Sequence, residues 1–440
     1  MERSDKIIEW LDLMYLVYSL LLACAALLSL PWWALQMLRL GKYRAGFKER
    51  LGLVQARLKA AKPGSVWIHA VSVGEVLAVS RLIAELKNNQ PETQVFVSTA
   101  TATGQRLARE RFGEAQCFFI PLDFGFAVRA CLNALQPRLL ILAETEFWPN
   151  LLHLARRRGT AIAIVNARIS DRSFPRYRRF RWLFRRVLSN VDLFLAQTTA
   201  DAERLRAIGA PTERVQVSGN LKFDIRQAST SKLAEDLRAA IPKGLPVLVC
   251  GSTAEGEEEP VLRAFKQVQQ QFSSAVMILA PRHPERFDKV AALIASFDLT
   301  FVRRSSWAAG CPITGRVFLL DSVGELASVY ALADIAFVGG SLVPVGGHNI
   351  LEPAQFGAAI VVGPHTFNFR EIVSIFQHGG AVRAATAEEL ANTLFELLTN
   401  SEERERLGRR AKELFAQHAG ATGRTLQALR PLLGRSGSAR

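Results

Sequence analysis

Short apolar runs alternate with amphipathic stretches along most of this chain, and many of the runs end in glycine or in polar residues. Helical spacing of apolar residues predicts helices between most of the runs. Alternation of this kind is typical of parallel sheets that carry helices on both faces, so we predict an α/β fold. The runs that predict strands are 66–71, 94–98, 117–120, 139–142 and 161–165, then 247–250, 277–280, 317–320, 335–338 and 358–362.

The length of 440 residues exceeds what one hydrophobic core usually supports, and the apolar runs fall into two series, so we expect two domains. A polar stretch separates the two series. We therefore predict an apolar N-terminal segment at 1–40, a first domain at 41–226, a linker at 227–245 and a second domain at 246–433.

The N-terminal segment carries no charged side chain from Leu13 to Leu38. As a helix it would be roughly 39 Å long, and a hydrocarbon core is about 30 Å thick. We expect Pro31 to kink or end the inserted part. Basic residues dominate the flank that follows, which places the amino terminus outside and the rest of the chain in the cytoplasm, as a single-pass anchor. A helix that lies in the interface without crossing is the alternative.

The net charge of +15 indicates polyanionic neighbours. Residues 156–186 hold eleven arginines and one acidic residue, Asp171, with five aromatic residues between 174 and 184. Arginine interleaved with aromatic rings is found at single-stranded nucleic acid sites, but a membrane segment upstream favours acidic membrane lipids. We therefore expect membrane lipids and no nucleic acid as partners. A non-catalytic, membrane-tethered polyanion binder remains an alternative to an enzyme.

The sequence offers no ligand set for a resident metal or cofactor. The five cysteines are scattered, and the seven histidines show no i, i+4 pairing. GxGxxG is absent, which argues against a dinucleotide oxidoreductase. We expect neither a metal nor a cofactor.

Residues 337–369 hold two glycine pairs that flank a polar GHN segment, between two buried strands. In a parallel sheet such strand ends form ligand sites, so we interpret the stretch as a nucleotide pocket. Asn349 can cap the next helix, and Glu352 offers two oxygens to the hydroxyls of a ribose. Upstream, Arg282 at a strand end suits a phosphate, and Gly324 can expose backbone amides.

Three polar motifs follow strands of the first domain. Glu75 stands at a helix start, where the dipole favours the ionised form that a general base needs, although a helix-capping carboxylate is an equal reading. Glu144 and Glu146 should point in opposite directions along an extended chain, so only one can face a given cleft. Lys222 follows a further strand and could reach an anion.

The order of the motifs resembles the 3-deoxy-D-manno-octulosonic acid (Kdo) transferases, inner-membrane enzymes of lipopolysaccharide synthesis. The resemblance runs from the N-terminal segment to about residue 420. It implies a GT-B glycosyltransferase fold with two Rossmann-like domains facing a cleft. It also implies CMP-Kdo as co-substrate and the tetraacylated, bisphosphorylated lipid A precursor (lipid IVA) as acceptor. The motifs are HAVSVGE, ETEFWPN, NARIS, SGNLKFD, GSTAEGEE, PRHPERF, FVGGSLVPVGGHNILEPA and GPHTFNF.

The resemblance also assigns roles to residues. Glu75 matches the catalytic base of an inverting transfer, and Glu144 and Lys222 match residues that stabilise the transition state. Ala254 departs from the family, which usually has histidine there. A UDP-sugar transferase or epimerase of the same fold is the second hypothesis. The positions that match CMP-binding segments are Pro281, Arg282, Val323, Gly324, Glu325, Asn349, Ile350, Leu351 and Glu352.

Overall fold

The computed structural model describes residues 2–40, 46–59, 61–224 and 231–434. The chain forms two compact units. Unit 1 comprises Met1–Asp224 together with Gly420–Arg440, and unit 2 comprises Ile225–Ala419.

Unit 1 is built on a seven-stranded parallel sheet in the order β3-β2-β1-β4-β5-β6-β7. Every residue of β1, β2, β5 and β6 is buried, as expected for strands covered on both faces. The chain leaves β1 towards one edge of the sheet and returns to β4 on its other side. The strands are β1 (Ser65–His69), β2 (Val95–Thr99), β3 (Cys117–Phe119), β4 (Pro137–Ala143), β5 (Ala161–Ala167), β6 (Leu193–Ala196) and β7 (Val215–Val217).

Helices cover both faces of this sheet, and each face carries its own apolar cluster. Their apolar residues recur at helical spacing and supply the side chains that pack on the strands. The helices are α1 (Glu2–Leu40), α2 (Phe47–Arg50), α3 (Ala56–Lys59), α4 (Val73–Asn89), α5 (Ala102–Phe112), α6 (Gly125–Leu135), α7 (Pro149–Arg157), α8 (Phe174–Arg179), α9 (Arg181–Leu188) and α10 (Thr199–Ile208).

Unit 2 has a second seven-stranded parallel sheet, in the order β10-β11-β9-β8-β12-β13-β14. The strands are β8 (Val247–Thr253), β9 (Val276–Pro281), β10 (Phe301–Arg303), β11 (Val317–Leu319), β12 (Ile335–Val338), β13 (Ala359–Val362) and β14 (Val382–Ala384). The helices are α11 (Lys232–Ala240), α12 (Glu258–Gln269), α13 (Phe287–Ser296), α14 (Leu326–Val329), α15 (Leu351–Ala354), α16 (Arg370–His378), α17 (Leu390–Thr399) and α18 (Ser401–His418).

The domain boundaries differ from the predicted ones at the end of the chain. Helix α19 (Ala421–Leu433) belongs to unit 1, where it packs on α4, β4 and β5. The predicted second domain at 246–433 therefore ends at Ala419. An amphipathic helix fits any matching apolar surface, so its sequence does not reveal on which domain it packs.

The predicted linker at 227–245 is also revised. Helix α11 lies inside it, and Leu233 and Leu237 are buried in a core cluster of unit 2. Residues 227–230 of that range lie outside the described residues.

Helix α1 is continuous through Pro31, so this proline does not end it. Its segment Met14–Trp33 is 20 residues long and, by length and composition, apolar enough to cross a membrane.

The arginine-rich run 156–186 covers the end of α7, strand β5, α8 and most of α9. Its aromatic residues lie in α8 and α9 or between them, and they divide into two groups. Tyr177 and Phe184 pack edge-on at 4.8 Å between ring centroids, and Phe147 lies against both. Phe180 and Trp182 are exposed. Part of the aromatic pattern that suggested a polyanion site is therefore internal packing of an amphipathic helix pair.

Candidate active site

Glu75 lies in the first turn of α4, directly beyond the carboxyl end of β1. Its Oε2 accepts the N–H of Val71 at 2.8 Å, and its Oε1 accepts the hydroxyl of Ser72 at 3.1 Å. The side chain thus folds back over the start of its own helix, and Glu75 is only 8% exposed. The capping role and a catalytic role are compatible, because each oxygen retains a further lone pair.

The pKa of Glu75 is raised to about 7, mainly by burial. The N–H of Val71 opposes this shift, and the negative charges of Glu144 and Glu146 add to it. The argument from the helix dipole predicted a carboxylate that stays ionised, so burial and like charge outweigh the dipole here. A base with a pKa near 7 suits proton transfer at neutral pH.

Glu144 begins a turn at the carboxyl end of β4, the strand that neighbours β1. Its φ of 56° is left-handed, which is uncommon for a residue other than glycine. The N–H of Glu144 donates to the carbonyl of Val165 at 2.9 Å, which ties the turn to β5. The carboxylate Oε1 accepts from Nζ of Lys222, also at 2.9 Å.

Glu146 belongs to the same acidic group, although alternation along an extended chain predicted that only one of the two glutamates could face a given cleft. The chain at 144–145 is a turn, so the alternation does not hold there. Trp148 Nε1 donates to the Glu146 carboxylate at 2.8 Å. Burial raises the pKa of Glu146, and the charge of Glu144 raises it further.

Lys222 lies in a short 3-10 turn, Leu221–Phe223, that follows β7. Asn166 in β5 positions this turn, because its Oδ1 accepts the N–H of Leu221 at 2.9 Å. Asn166 is fully buried and has a φ of 54°. Sequence reasoning did not single out Asn166, although an amide inside the apolar run AIAIVNA is the signal that could have revealed it.

In unit 2, Arg282 follows β9 and is exposed. The charge of Arg282 acts on both His348 and Glu352, which lie beyond the carboxyl end of β12. Burial, and then Arg282, lower the pKa of His348 to about 4. Burial raises the pKa of Glu352, while Arg282 and Asn349 oppose that rise. A cation, a neutral imidazole and a half-buried carboxylate thus share one edge of the sheet.

The polar GHN segment is shaped by glycines, as predicted. Gly346 and Gly347 both have left-handed φ values, 108° and 77°. Asn349 Oδ1 accepts the N–H of Leu351 at 3.1 Å, but the N-cap position of the four-residue helix α15 is Ile350, so Asn349 supports the helix start from one position earlier than a capping residue. Ile350 and Leu351 are fully buried, so they pack the segment against the domain rather than present groups to a ligand.

Three further predicted positions follow β11. Val323 is 78% exposed, and Gly324 has a φ of 92°. Glu325 forms an ion pair with Arg304 at 3.3 Å. Parallel strands bring this segment to the same edge of the sheet as Arg282 and Glu352. Pro281, the last residue of β9, is buried.

Glu257 is a positioning residue that sequence reasoning missed. Its fully buried carboxylate accepts four backbone N–H groups at 2.6 to 2.8 Å. The donors are Ala254, Gly340, Ser341 and Leu342. Glu257 therefore holds the loop after β8 against the loop after β12. Ala254 makes this contact through its backbone, which does not depend on the side chain at that position.

Comparison with known proteins identifies the family. A family model described as 3-Deoxy-D-manno-octulosonic-acid transferase (kdotransferase) matches residues 45–225, and one described as Glycosyl transferases group 1 matches residues 259–414. The 3-deoxy-D-manno-octulosonic acid transferase of Haemophilus influenzae is 36% identical over 95% of this chain and 98% of its own length. This chain belongs to the Kdo transferase family.

A further relative and a solved structure are also similar to this Kdo transferase. The enzyme of Bordetella pertussis is 36% identical over 95% of this chain and 99% of its own. A solved structure, the C-terminal CMP-Kdo binding domain of WaaA from Acinetobacter baumannii, is 38% identical and covers 42% of this chain and 97% of that one, with a TM-score of 0.40. The chain is thus a glycosyltransferase, and the predicted GT-B class with two Rossmann-like domains is confirmed.

Proposed function

We propose that this Kdo transferase moves Kdo from CMP-Kdo to the tetraacylated, bisphosphorylated lipid A precursor. The observation that carries the proposal is the Glu75 carboxylate, which has a pKa of about 7 and lies beside the Glu144–Lys222 ion pair. Family membership supports the donor sugar, and the basic surface of α8 and α9 suits a phosphorylated acceptor.

Glu75 acts as the general base. It accepts the proton of the acceptor hydroxyl while that oxygen bonds to the anomeric carbon of Kdo, and the bond from this carbon to the CMP phosphate breaks. CMP leaves with the electron pair of that bond, and the configuration inverts. The negative charge of Glu144 stabilises the oxocarbenium character of the transition state, and Lys222 holds that carboxylate in place and offers a positive charge to the carboxylate of the donor sugar.

Unit 2 binds the nucleotide. Arg282 carries the positive charge that a departing phosphate requires, and Glu352 offers acceptors to the ribose hydroxyls. The backbones around Gly324 and Asn349 provide further polar groups. Neither a metal nor a cofactor takes part in the proposed reaction.

The enzyme works at the cytoplasmic side of the bacterial inner membrane, to which α1 attaches it. The length and apolar character of Met14–Trp33 support membrane attachment.

The reaction is tested with detergent-solubilised protein, CMP-Kdo and the tetraacyl lipid A precursor, read by product mass. We expect the acceptor mass to rise by one or more Kdo units. Glu75→Ala should abolish the shift, and Glu85→Ala at the other end of α4 serves as the matched control. A folded protein that prefers UDP to CMP in calorimetry, or a Glu75→Ala variant with full turnover, would contradict the proposal.

A further inference from the structure

Helix α1 is fixed to the body of unit 1 near the start of its apolar segment. Tyr15 is only 6% exposed. Its ring stacks on His153 of α7 with 3.9 Å between ring centroids, and its hydroxyl accepts from Nδ2 of Asn190 at 3.0 Å. Met14 packs against the same apolar cluster of unit 1.

A second group of polar contacts lies one turn further along α1. Tyr18 hydrogen-bonds to Asp123, which is 3% exposed. Ser19 bonds to Asn150 at 3.0 Å, and Asp123 also accepts the backbone N–H groups of Asn150 and Leu151. Within a stretch that is otherwise apolar, these side chains find their polar partners on unit 1 rather than in lipid.

These contacts leave too little helix to cross a bilayer. From Leu20 to Trp33 the apolar segment is 14 residues long, or about 21 Å, whereas a hydrocarbon core is about 30 Å thick. Counted to Leu40, the helix beyond Ser19 is about 32 Å long, so it would span the core only with the polar Gln36 and the charged Arg39 included in the spanning stretch.

The far end of α1 is tied to unit 1 as well. At Gly46 the chain is packed so closely on the ring of Phe119 that a Cβ there would overlap it. Residues 41–45 join Leu40 to Gly46, and a link of that length reaches about 20 Å at most. If α1 crossed the membrane from its docking point, these residues would have to return through the hydrocarbon core with Lys42 and Arg44.

The surface of α1 that faces away from unit 1 is strongly apolar. Exposed fractions range from 61% to 84% for Leu16, Leu20, Leu21, Leu27, Leu28 and Leu30. Asn190, which holds Tyr15, follows α9 directly, and α9 exposes Trp182 and three arginines. Exposed leucines beside a basic helix with an exposed tryptophan are the pattern of a protein seated in an acidic membrane interface.

We propose that α1 lies along the cytoplasmic face of the membrane without crossing it, with its leucines in one lipid leaflet and the arginines of α9 on anionic headgroups. Both ends of α1 are then cytoplasmic, in contrast to the outside amino terminus that the flanking charges predict. The positive charges after residue 38 bind headgroups in either topology, so the sequence alone does not separate the two.

Side-specific labelling in cells tests the topology. Position 4 is given a thiol by Ser4→Cys in a chain that also carries Cys24→Ser and Cys311→Ser. The matched control keeps Cys311, which is exposed in unit 2, as its accessible thiol; the remaining thiols, Cys117, Cys131 and Cys250, are buried. A membrane-impermeant maleimide should label both chains in inverted vesicles and neither in spheroplasts. Labelling at position 4 in spheroplasts would overturn the proposal.

A crosslink tests the contact itself in native membranes. The chain again carries Cys24→Ser and Cys311→Ser. With Tyr15→Cys and His153→Cys added, a short bis-maleimide should join the two new thiols. With Leu28→Cys and His153→Cys added instead, it should not. Retained Kdo transfer shows that each variant is folded. If a pair of cysteine substitutions prevents folding, the labelling at position 4 remains as an independent test of the proposal. Absence of the 15–153 crosslink in an active variant would refute the docked helix.

The native Cys24 tests what covers the leucines, because it is exposed on α1. If lipid covers that surface, an oxidant should form no disulfide between the Cys24 residues of two copies. Complete disulfide formation between copies, in membranes and in detergent, would assign the surface to a dimer and overturn the lipid assignment.

Discussion

The ammonium group of Lys222 lies 2.9 Å from Oε1 of Glu144, although 78 residues separate them in the chain. Two strands, β5 and β6, lie between the strands that these residues follow. Asn166 at the end of β5 holds the backbone beside Lys222, so the ion pair has support from both ends. Both partners keep about a quarter of their side-chain surface exposed, which leaves them accessible to a substrate.

Lys222→Met should lower kcat by roughly 100-fold while CMP affinity stays unchanged, because the proposed nucleotide site lies in unit 2. The unfolding free energy should fall by no more than about 1 kcal/mol, since a partly exposed pair contributes little to stability. Single-turnover kinetics and CMP calorimetry measure the two effects. Lys87→Met in α4 is the control, and an Lys222→Met enzyme with normal kcat would remove the lysine from the reaction.

The raised pKa of Glu75 predicts the pH dependence of Kdo transfer. A base must be ionised, so kcat/KM should fall about tenfold per pH unit below pH 7 and level off above it. Glu146→Gln removes a negative charge that raises the Glu75 pKa, so the midpoint of the profile should move to lower pH. Glu110→Gln in α5 should leave the midpoint in place. A midpoint that moves to higher pH in Glu146→Gln would show that Glu146 does not act on Glu75 as a nearby negative charge.

Sequence patterns predicted most strands of the two sheets, because buried strands of a parallel sheet are nearly uniform apolar runs, but they missed β6, β10 and β14. The run 139–142 lies within β4, and the run 335–338 coincides with β12. The catalytic surroundings were harder to predict. The left-handed turn at Glu144 arises from tertiary contacts with β5, and it brings Glu146 into electrostatic range of Glu75 where strand alternation predicted divergence.

Long-range partners were equally hidden from sequence analysis. In the sequence, Glu257 is one of three adjacent glutamates. Only the fold shows that its carboxylate accepts backbone N–H groups from residues more than eighty positions away. The crossing predicted for α1 rested on length and charge alone. Its polar partners, Asp123 and Asn190, lie in distant parts of the chain that no local pattern connects with Tyr15 or Tyr18.

The three adjacent glutamates predict a graded response in unit 2. Glu257→Gln replaces an acceptor oxygen with an NH₂ group that faces backbone N–H donors, so we expect hydrogen exchange at residues 340–342 to be roughly 10- to 100-fold faster. Glu258→Gln weakens the bidentate pair with Arg286 and should have a smaller effect at these amides. Glu259 is exposed, and Glu259→Gln should leave their exchange unchanged.

The order of these three variants is the informative outcome. Hydrogen exchange followed by mass spectrometry reports peptides that contain residues 340–342. Because this loop leads into the proposed nucleotide site, CMP affinity should fall in the same order. Equal exchange in Glu257→Gln and Glu259→Gln would show that the buried carboxylate does not hold the loop.

The proposed ribose contact of Glu352 is tested by donor kinetics. Glu352→Ala removes both acceptor oxygens, and hydrogen bonds to a charged group contribute about 1.5–3 kcal/mol, so the donor KM should rise roughly 10- to 100-fold. Glu352→Gln keeps one acceptor and should fall between the parent and Glu352→Ala. In both variants kcat should change little, because the ribose contact exists before and during the transfer.

Glu388→Ala, at an exposed position of unit 2, controls for a general loss of charge. A donor KM that stays at the parent value in Glu352→Ala would remove the ribose from this carboxylate, and a loss confined to kcat would assign Glu352 to the chemical step instead.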